Sequence, residues 1–424
     1  MLEEILDYRN ITKALEQVIS NKGAAGVDGM QTDELRSWME REWKNLKESI
    51  LDGSYRPQPV RKVEIPKPSG GTRTLGIPTV VDRLIGQAMH QWLKGQYEAG
   101  FSENSFGFRE GRNAHQAVEQ ARKYLNEGKT WVVEMDLDKF FDRVNHDKLM
   151  GLLAKRITDK GTLKLIRSYL NSGVMEGGLV SPRIEGTPQG SPLSPMLSNI
   201  VLDELDRELE GRGHSFVRYA DDVSLYVGSE KAAQRVMGSA TEYIEKKLKL
   251  RVNREKTQIS RGQQINLLGF SFYQSNGKWE VRIAPKSVKR IKEKIRAKTK
   301  RNDPSNTGEK IKKLEAVIKG WVNYFRIAHG KQIMQRLDSM VRHRLRSGIW
   351  KQWKTPKTRI RNLRKLGVVQ RDAERWGNSS WGHYRMGSHT AMQITVTNER
   401  LLRLGYVGFY NYYYWKTAHQ TKLF

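Results

Sequence analysis

The chain has 424 residues, enough for two or three domains, and 38% of them are hydrophobic, with 11 Trp, 16 Tyr and 11 Phe available for cores or stacking surfaces. A formal charge of +29 and a pI near 10 favour a polyanionic partner, either nucleic acid or an acidic membrane surface. Cysteine is absent, which excludes disulfides, thiolate catalysis and cysteine-ligated zinc; with no apolar run of 18 residues and no signal-peptide pattern after Met1, the expected location is the cytoplasm, without membrane attachment.

Residues 1–55 read as helical, interrupted by Asn21-Lys22-Gly23-Ala24-Ala25-Gly26-Val27-Asp28-Gly29, whose glycines and Asx residues signal a loop. Its role is open from composition alone. Val63 through Pro78 reads as two strands around a glycine turn, with Lys67 and Arg73 projecting from the arms. Cations so placed could neutralise the charge of a departing pyrophosphate. Two solvated bases on a surface hairpin are the alternative.

Trp131-Val132-Val133-Glu134-Met135-Asp136 reads as a buried strand that delivers Asp136 at its end. Asp136 through Asp142 then joins this strand to a helix. Asp136 is a candidate metal ligand, and the carbonyl of Leu137 a second. Phe141 is expected to stack beneath an incoming sugar, where its ring would clash with a 2′-hydroxyl and so favour deoxynucleotides. Phe140 is read as core, and Asp142 as a capping or bridging residue. Gly186 through Pro195 forms a proline-rich loop ahead of an apolar helix. Gly190 would allow close backbone approach there, and Gln189 offers a neutral contact to a nucleotide or template base.

Phe216 to Tyr219 and Val223 to Val227 read as a hairpin with Asp221 and Asp222 at its bend, about 85 positions after Asp136. An Asp-Asp pair in a turn is ordinarily local turn chemistry; here its company points further. Carboxylate oxygens suit Mg²⁺, and two ions roughly 3.5–4 Å apart can activate a 3′-hydroxyl and stabilise leaving pyrophosphate. The constellation suggests a nucleotide polymerase with Asp136, Asp221 and Asp222 as catalytic carboxylates. Two Mg²⁺ ions would be the cofactors, with Mn²⁺ a possible substitute. Lys256, where a helix gives way to an extended stretch, is a candidate proton donor to the leaving pyrophosphate. Leu267 through Phe272 reads as a short strand with Gly269 open to close approach.

From Arg282 to Leu366 there are 27 Lys or Arg against 5 Asp or Glu, so a fifth of the chain carries three quarters of the net charge. Helical spacing of Val288, Ile291 and Ile295, then of Leu314, Val317, Ile318, Trp321, Val322 and Phe325, then of Leu337, Met340, Val341 and Leu345, predicts a basic helical bundle. Phosphate contact explains such an imbalance better than a solvated face does. The remainder mixes helix signals with an aromatic end, Tyr410-Asn411-Tyr412-Tyr413-Tyr414-Trp415, equally suited to a core or to stacking on unpaired bases.

In this order the segments resemble the blocks of bacterial group II intron reverse transcriptases (maturases), most of all class IIC. The match runs from the glycine-rich N-terminal loop through Ile65-Pro66-Lys67-Pro68 and Phe106-Gly107-Phe108-Arg109. It continues through Asp136, Phe141, Thr187-Pro188-Gln189-Gly190, Tyr219-Ala220-Asp221-Asp222 and Leu268-Gly269-Phe270, and Gly320-Trp321-Val322-Asn323-Tyr324-Phe325 resembles the signature of the maturase thumb, domain X. Ser191 stands where the family often has a second glycine. The resemblance implies an α+β right-hand polymerase with an antiparallel-sheet palm, fingers and an α-helical thumb, followed by a small C-terminal DNA-binding region. Its segments would be an N-terminal extension (1–60) with the glycine-rich loop, fingers and palm (61–275), thumb (276–350) and DNA-binding region (351–424).

It also implies metal ligation by Asp136, Asp221 and Asp222, triphosphate binding by Lys67 and Arg73, sugar gating by Phe141 and nucleotide contact by Gln189. Expected partners are an RNA template, a DNA primer, dNTPs, group II intron RNA and target DNA, in a bacterial cytoplasm; the oligomeric state is open. Many relatives end in a cysteine-bearing HNH endonuclease, so without cysteine bottom-strand cleavage is not expected, and priming would use an existing 3′ end. The alternatives are a reverse transcriptase of another bacterial lineage (retron, diversity-generating, CRISPR-associated or a domesticated repair enzyme) and a non-catalytic RNA-splicing chaperone.

Overall fold

The helices Leu2–Ile5, Tyr8–Ser20 and Leu35–Leu51 open the chain in the computed structural model, which describes residues 1–66, 71–300 and 302–420. Asp7 caps Tyr8–Ser20 by accepting the Arg9 N–H, and Ile11, Ala14 and Val18 form its buried stripe. The glycine-rich loop leans on the start of the helix Val80–Tyr97, where Arg83 Nη2 donates to Ala24 O at 2.6 Å. Gly26 lies so close to Thr79 that a side chain there would collide with its backbone.

Strands β1 (Val60–Pro66) and β2 (Thr72–Ile77) pair antiparallel as the expected hairpin. Next come β3 (Trp131–Met135), β4 (Val174–Glu176) and β5 (Leu179–Ser181). β4 joins β1 in parallel, giving a first sheet of order β2-β1-β4-β5. The second sheet adds β6 (Ser215–Tyr219), β7 (Asp222–Val227) and β8 (Gln258–Arg261) in the order β6-β7-β3-β8, antiparallel throughout. Valines in β3 suit this doubly covered position, and Val132 and Val133 are fully buried. The helices Ser194–Gly211 and Glu230–Lys246 pack on the sheet, joining Leu197, Leu205, Val236 and Ile244 to Val133, Phe216 and Leu225 in one core. Each such side chain contributes about 1.5–3 kcal/mol on full burial. All these elements belong to one compact unit, Met1–Gly262.

The second unit, Gln263–Phe424, begins with a hairpin of β9 (Phe270–Ser275) and β10 (Lys278–Ile283). Asn276 and Gly277 both take positive φ in its turn, the pairing that suits a two-residue hairpin. Leu268 and Gly269 also have positive φ, so the strand starts only at Phe270, and Ser287 and Phe325 close over Gly269.

The three expected helices follow as Pro285–Lys298, Thr307–Phe325 and Lys331–Gln352, with Ile291, Ile295, Leu314, Ile318, Val322, Leu337, Val341 and Leu345 buried. Asp338, buried on the third, accepts bonds from Tyr406 OH (2.6 Å), Phe409 N (2.7 Å) and Tyr410 N (2.9 Å) and so ties down the last helix, Phe409–Gln420. The aromatic end divides: Tyr412 and Tyr413 bond Asn323 and the Ala328 carbonyl, while Tyr414 and Trp415 lie exposed. Among the described residues no helix is long and apolar enough to cross a membrane.

Candidate active site

β3 and β7 are neighbours with Met135 opposite Val223, so Asp136 and Asp222, the next residue on each strand, meet at one end of the sheet. Asp221 sits beside them in the two-residue turn that closes β6 onto β7, where Tyr219 faces Asp222. Ala220, the first residue of that turn, has φ 58°, a region ordinarily left to glycine because Cβ crowds the following carbonyl. Such a conformation persists when the surroundings enforce it.

Here they do so from two sides. The segment Asn104–Phe106 runs along β6, with Arg218 N donating to Asn104 O (2.8 Å) and Phe106 N donating to Arg218 O (2.9 Å). This sets Gly107 against the turn, so that a Cβ would stand 2.9 Å from Tyr219 C and 3.0 Å from Ala220 Cα. From the other side the Arg218 guanidinium, fully buried, donates to the Ala220 carbonyl at 3.0 Å. The same guanidinium grips both carboxylate oxygens of buried Asp206 and bonds Asn199 Oδ1.

The three aspartates carry more negative charge than their protein neighbours balance. Desolvation and the Asp221 and Asp136 carboxylates push Asp222 up to about 6. Asp221 is also raised, by burial first and then by Asp136, while Arg73 draws it down. Asp136 Oδ2 is buried and accepts no well-formed hydrogen bond, its neighbour being the Lys256 ammonium at 3.0 Å. Lys256 is held protonated, its pKa raised chiefly by the Asp136 carboxylate paired with it. This donor set fits divalent cations. Among the described residues no group of three or more acidic or His side chains is gathered closely enough to hold an ion by itself; Mg²⁺ usually takes one or two carboxylates and fills its shell with phosphate and water. The bridge between Leu137 and Val252 uses the Asp136 O and Asp138 N of the flanking peptides, which turns the Leu137 carbonyl away from Val252.

The nucleotide-side candidates gather around the proline-rich loop. Gly76 N donates to Gln189 O (2.8 Å), and Gly190 takes φ 120° against the Gly76 carbonyl, so the loop abuts β2. Gln189 Oε1 accepts from Arg73 Nε (2.8 Å), and its Nε2 donates to Asp142 Oδ1 (3.2 Å). Asp142 therefore bridges, as expected. Phe140 is buried, whereas Phe141 is half-buried, edge-on to Phe140 and, at 6.4 Å between ring centres, to Phe108. Lys67 lies outside the described residues.

Sequence reading missed Arg218, Asp206 and Asn199, and it missed what Gly107 and Phe108 do here. A signal existed for two of them. Arg218 interrupts a strand otherwise buried at Phe216 and Val217, and Asp206 interrupts the apolar run Leu202, Leu205, Leu209. Buried charges of opposite sign demand partners. Phe108 announces itself only in coordinates, by its positive φ and an exposed ring beside Phe141.

Residues 65–272 match the family described as reverse transcriptase (RNA-dependent DNA polymerase), and residues 288–367 match the group II intron, maturase-specific domain. Protein YkfC of Escherichia coli (strain K12) is 35% identical over 289 residues, 59% of this chain and 76% of that protein. The group II intron-encoded protein LtrA of Lactococcus lactis subsp. cremoris is 31% identical over 323 residues, 61% of this chain and 54% of LtrA, so the chain spans about half that relative's length. Telomerase from Candida albicans, solved with a fragment of telomeric RNA, superposes with a TM-score of 0.44 at 13% identity, over 86% of this chain and 71% of that one.

Proposed function

We propose a mechanism for this chain on the premise that it belongs to the group II intron-encoded reverse transcriptases, with a reverse transcriptase domain followed by a maturase-specific domain. Its reaction is extension of a DNA primer 3′-hydroxyl with dNTPs on an RNA template. The observation that carries this reading is the meeting of Asp136, Asp221 and Asp222 at one sheet end with unbalanced negative charge. Two Mg²⁺ ions, or Mn²⁺ in their place, held by these carboxylates and the Leu137 carbonyl, would supply Lewis-acid stabilisation to the attacking and leaving oxygens.

The protein's own groups do the rest. Arg73 exchanges its bond with Gln189 for a triphosphate oxygen, a role that Lys67 would share. Gln189, held by Asp142, keeps the loop in register with the nucleotide. Phe141, backed by Phe140 and flanked by Phe108, forms the floor that rejects a 2′-hydroxyl. Lys256 protects the charge of Asp136 until nucleotide arrives and then serves the leaving pyrophosphate.

Fingers and palm would occupy 61–275, the thumb 276–350 and a DNA-binding region 351–424, with 1–60 an N-terminal extension whose glycine-rich loop helps hold template and gate the active site. The basic helices of 282–366 would bind group II intron RNA, assisting splicing and retrohoming into target DNA, in a bacterial cytoplasm and in the class IIC manner. Primer extension on an RNA template with Mg²⁺ and dNTPs, beside Asp221→Ala/Asp222→Ala, tests the reading. Template-dependent synthesis lost in the variant supports it. No synthesis, with tight salt-sensitive RNA binding retained, would replace it with an RNA-splicing chaperone.

A further inference from the structure

We propose that Arg218 is a positioning residue for the metal-binding turn: locked by Asp206 and Asn199, its guanidinium holds the Ala220 carbonyl and so determines where the Asp221 and Asp222 carboxylates stand. This rests on the reading of those aspartates as metal ligands.

Arg218 spends its donors in three directions without reaching water. Nε and Nη2 form a bidentate fork on Asp206, and Nη1 bonds both Asn199 Oδ1 (2.9 Å) and Ala220 O (3.0 Å). Asn199 in turn donates from Nδ2 to Gly107 O (3.0 Å), fixing the glycine that backs the Ala220 nitrogen. The strained residue is therefore held at its carbonyl by a hydrogen bond from Arg218, while the Gly107 backbone packs close against its nitrogen. Arg218 and Gly107 are both bonded to one side chain, Asn199, on the buried face of the helix Ser194–Gly211.

A buried ion pair is a poor way to gain stability, because desolvation offsets the attraction and apolar residues of similar volume often serve as well. Geometry is what such a fork supplies. Guanidinium presents five donors in a rigid plane, whereas an ammonium has three donors on one atom and lacks the planar fork that takes a carboxylate bidentately while also reaching an amide oxygen and a peptide carbonyl.

The test compares R218K, the double variant R218M/D206L and N199A with the wild-type full chain. Each is followed by thermal unfolding, by direct Mn²⁺ binding read spectroscopically, and by single-nucleotide extension across a Mg²⁺ titration. R218K and R218M/D206L are expected to remain folded and to bind primer–template within twofold of wild type. Their maximal rate falls 10- to 100-fold, and both the Mg²⁺ midpoint and the Mn²⁺ dissociation constant rise at least fivefold, with KM for dNTP unchanged. N199A leaves no buried charge behind and should show the same metal shift at threefold or more.

A folded R218M/D206L that keeps wild-type metal binding and rate overturns the proposal and leaves Arg218 a purely structural residue. If the charge variants fail to fold, N199A decides alone, and unchanged metal affinity there overturns the proposal equally. Failure of the polymerase reading itself would look different: wild type would then make no DNA and bind no Mn²⁺ at the turn.

Discussion

Replacing Gly107 with alanine should separate catalysis from substrate binding. The added methyl would stand 2.9 Å from Tyr219 C and 3.0 Å from Ala220 Cα, and closer still to the nitrogen between them, where ordinary contact needs 3.4 Å or more. The glycine cannot retreat, because Asn199 holds its carbonyl and Phe106 N is bonded to Arg218 O. The turn must move instead, by about 0.5–1 Å, and misplacement on that scale costs up to about 100-fold in rate. Overpacking of this kind costs about 1–3 kcal/mol, which for a unit of this size lowers its melting temperature by roughly 2–10 °C. Rapid-quench measurement of single-nucleotide incorporation on a preformed primer–template would read the effect. The expected result is a rate reduced about 30- to 100-fold with dNTP affinity little changed, on the same positional argument. A variant within threefold of wild type, melting at the same temperature, would refute the claim that Gly107 sets the turn.

Other expectations follow from the same geometry. Asp222 has a folded pKa raised above its ordinary 3.8 to about 6, so the stability tied to its protonated form is full below pH 3.8 and lost as pH rises through 6. In chelator, Asp222→Asn should therefore melt with wild type near pH 4 and above it at pH 8. Two pKa units set a ceiling of about 3 kcal/mol, which exposure of the side chain reduces to roughly 1 kcal/mol; identical melting at pH 8 would sink the reasoning. Phe141→Ala should raise rNTP incorporation relative to dNTP by at least about tenfold, Phe108→Ala by less, and unchanged discrimination in competition assays would remove Phe141 from the gate. RNA affinity should fall by about 10³–10⁵ between 50 and 200 mM salt if six to ten phosphates are neutralised, and a fall below tenfold would argue against the 282–366 helices as the binding surface. Asp222→Ala should leave that affinity within a few fold.

Much of this architecture was legible because it is periodic. β3, β6 and β7 show strand patterning that places Asp136, Asp221 and Asp222 at strand ends, and the helices Thr307–Phe325 and Lys331–Gln352 carry their buried residues at helical spacing. β4 and β5, three residues each, are too short for any period to register, and their parallel junction with β1 is a long-range pairing that no local pattern encodes. The support beneath the turn was hidden for a related reason. A sequence can mark Arg218 and Asp206 as misplaced charges, but which charge finds which depends on a helix and a strand packing face to face. Gly107 is one of 37 glycines, and its role exists only because a strand end passes over it.

Asp338 has a practical consequence for anyone trimming this protein. Its carboxylate lies on the helix Lys331–Gln352, yet its partners Tyr406, Phe409 and Tyr410 come from the last twenty residues. Shortening the chain before Tyr406 would strip a buried anion of every one of those donors, a far larger injury than loss of the exposed Tyr414 and Trp415 would suggest. A minimal version should therefore either end beyond Tyr410 or be cut together with Asp338→Leu. Swaps of C-terminal regions between relatives should likewise carry residue 338 and the terminal helix as one inherited piece.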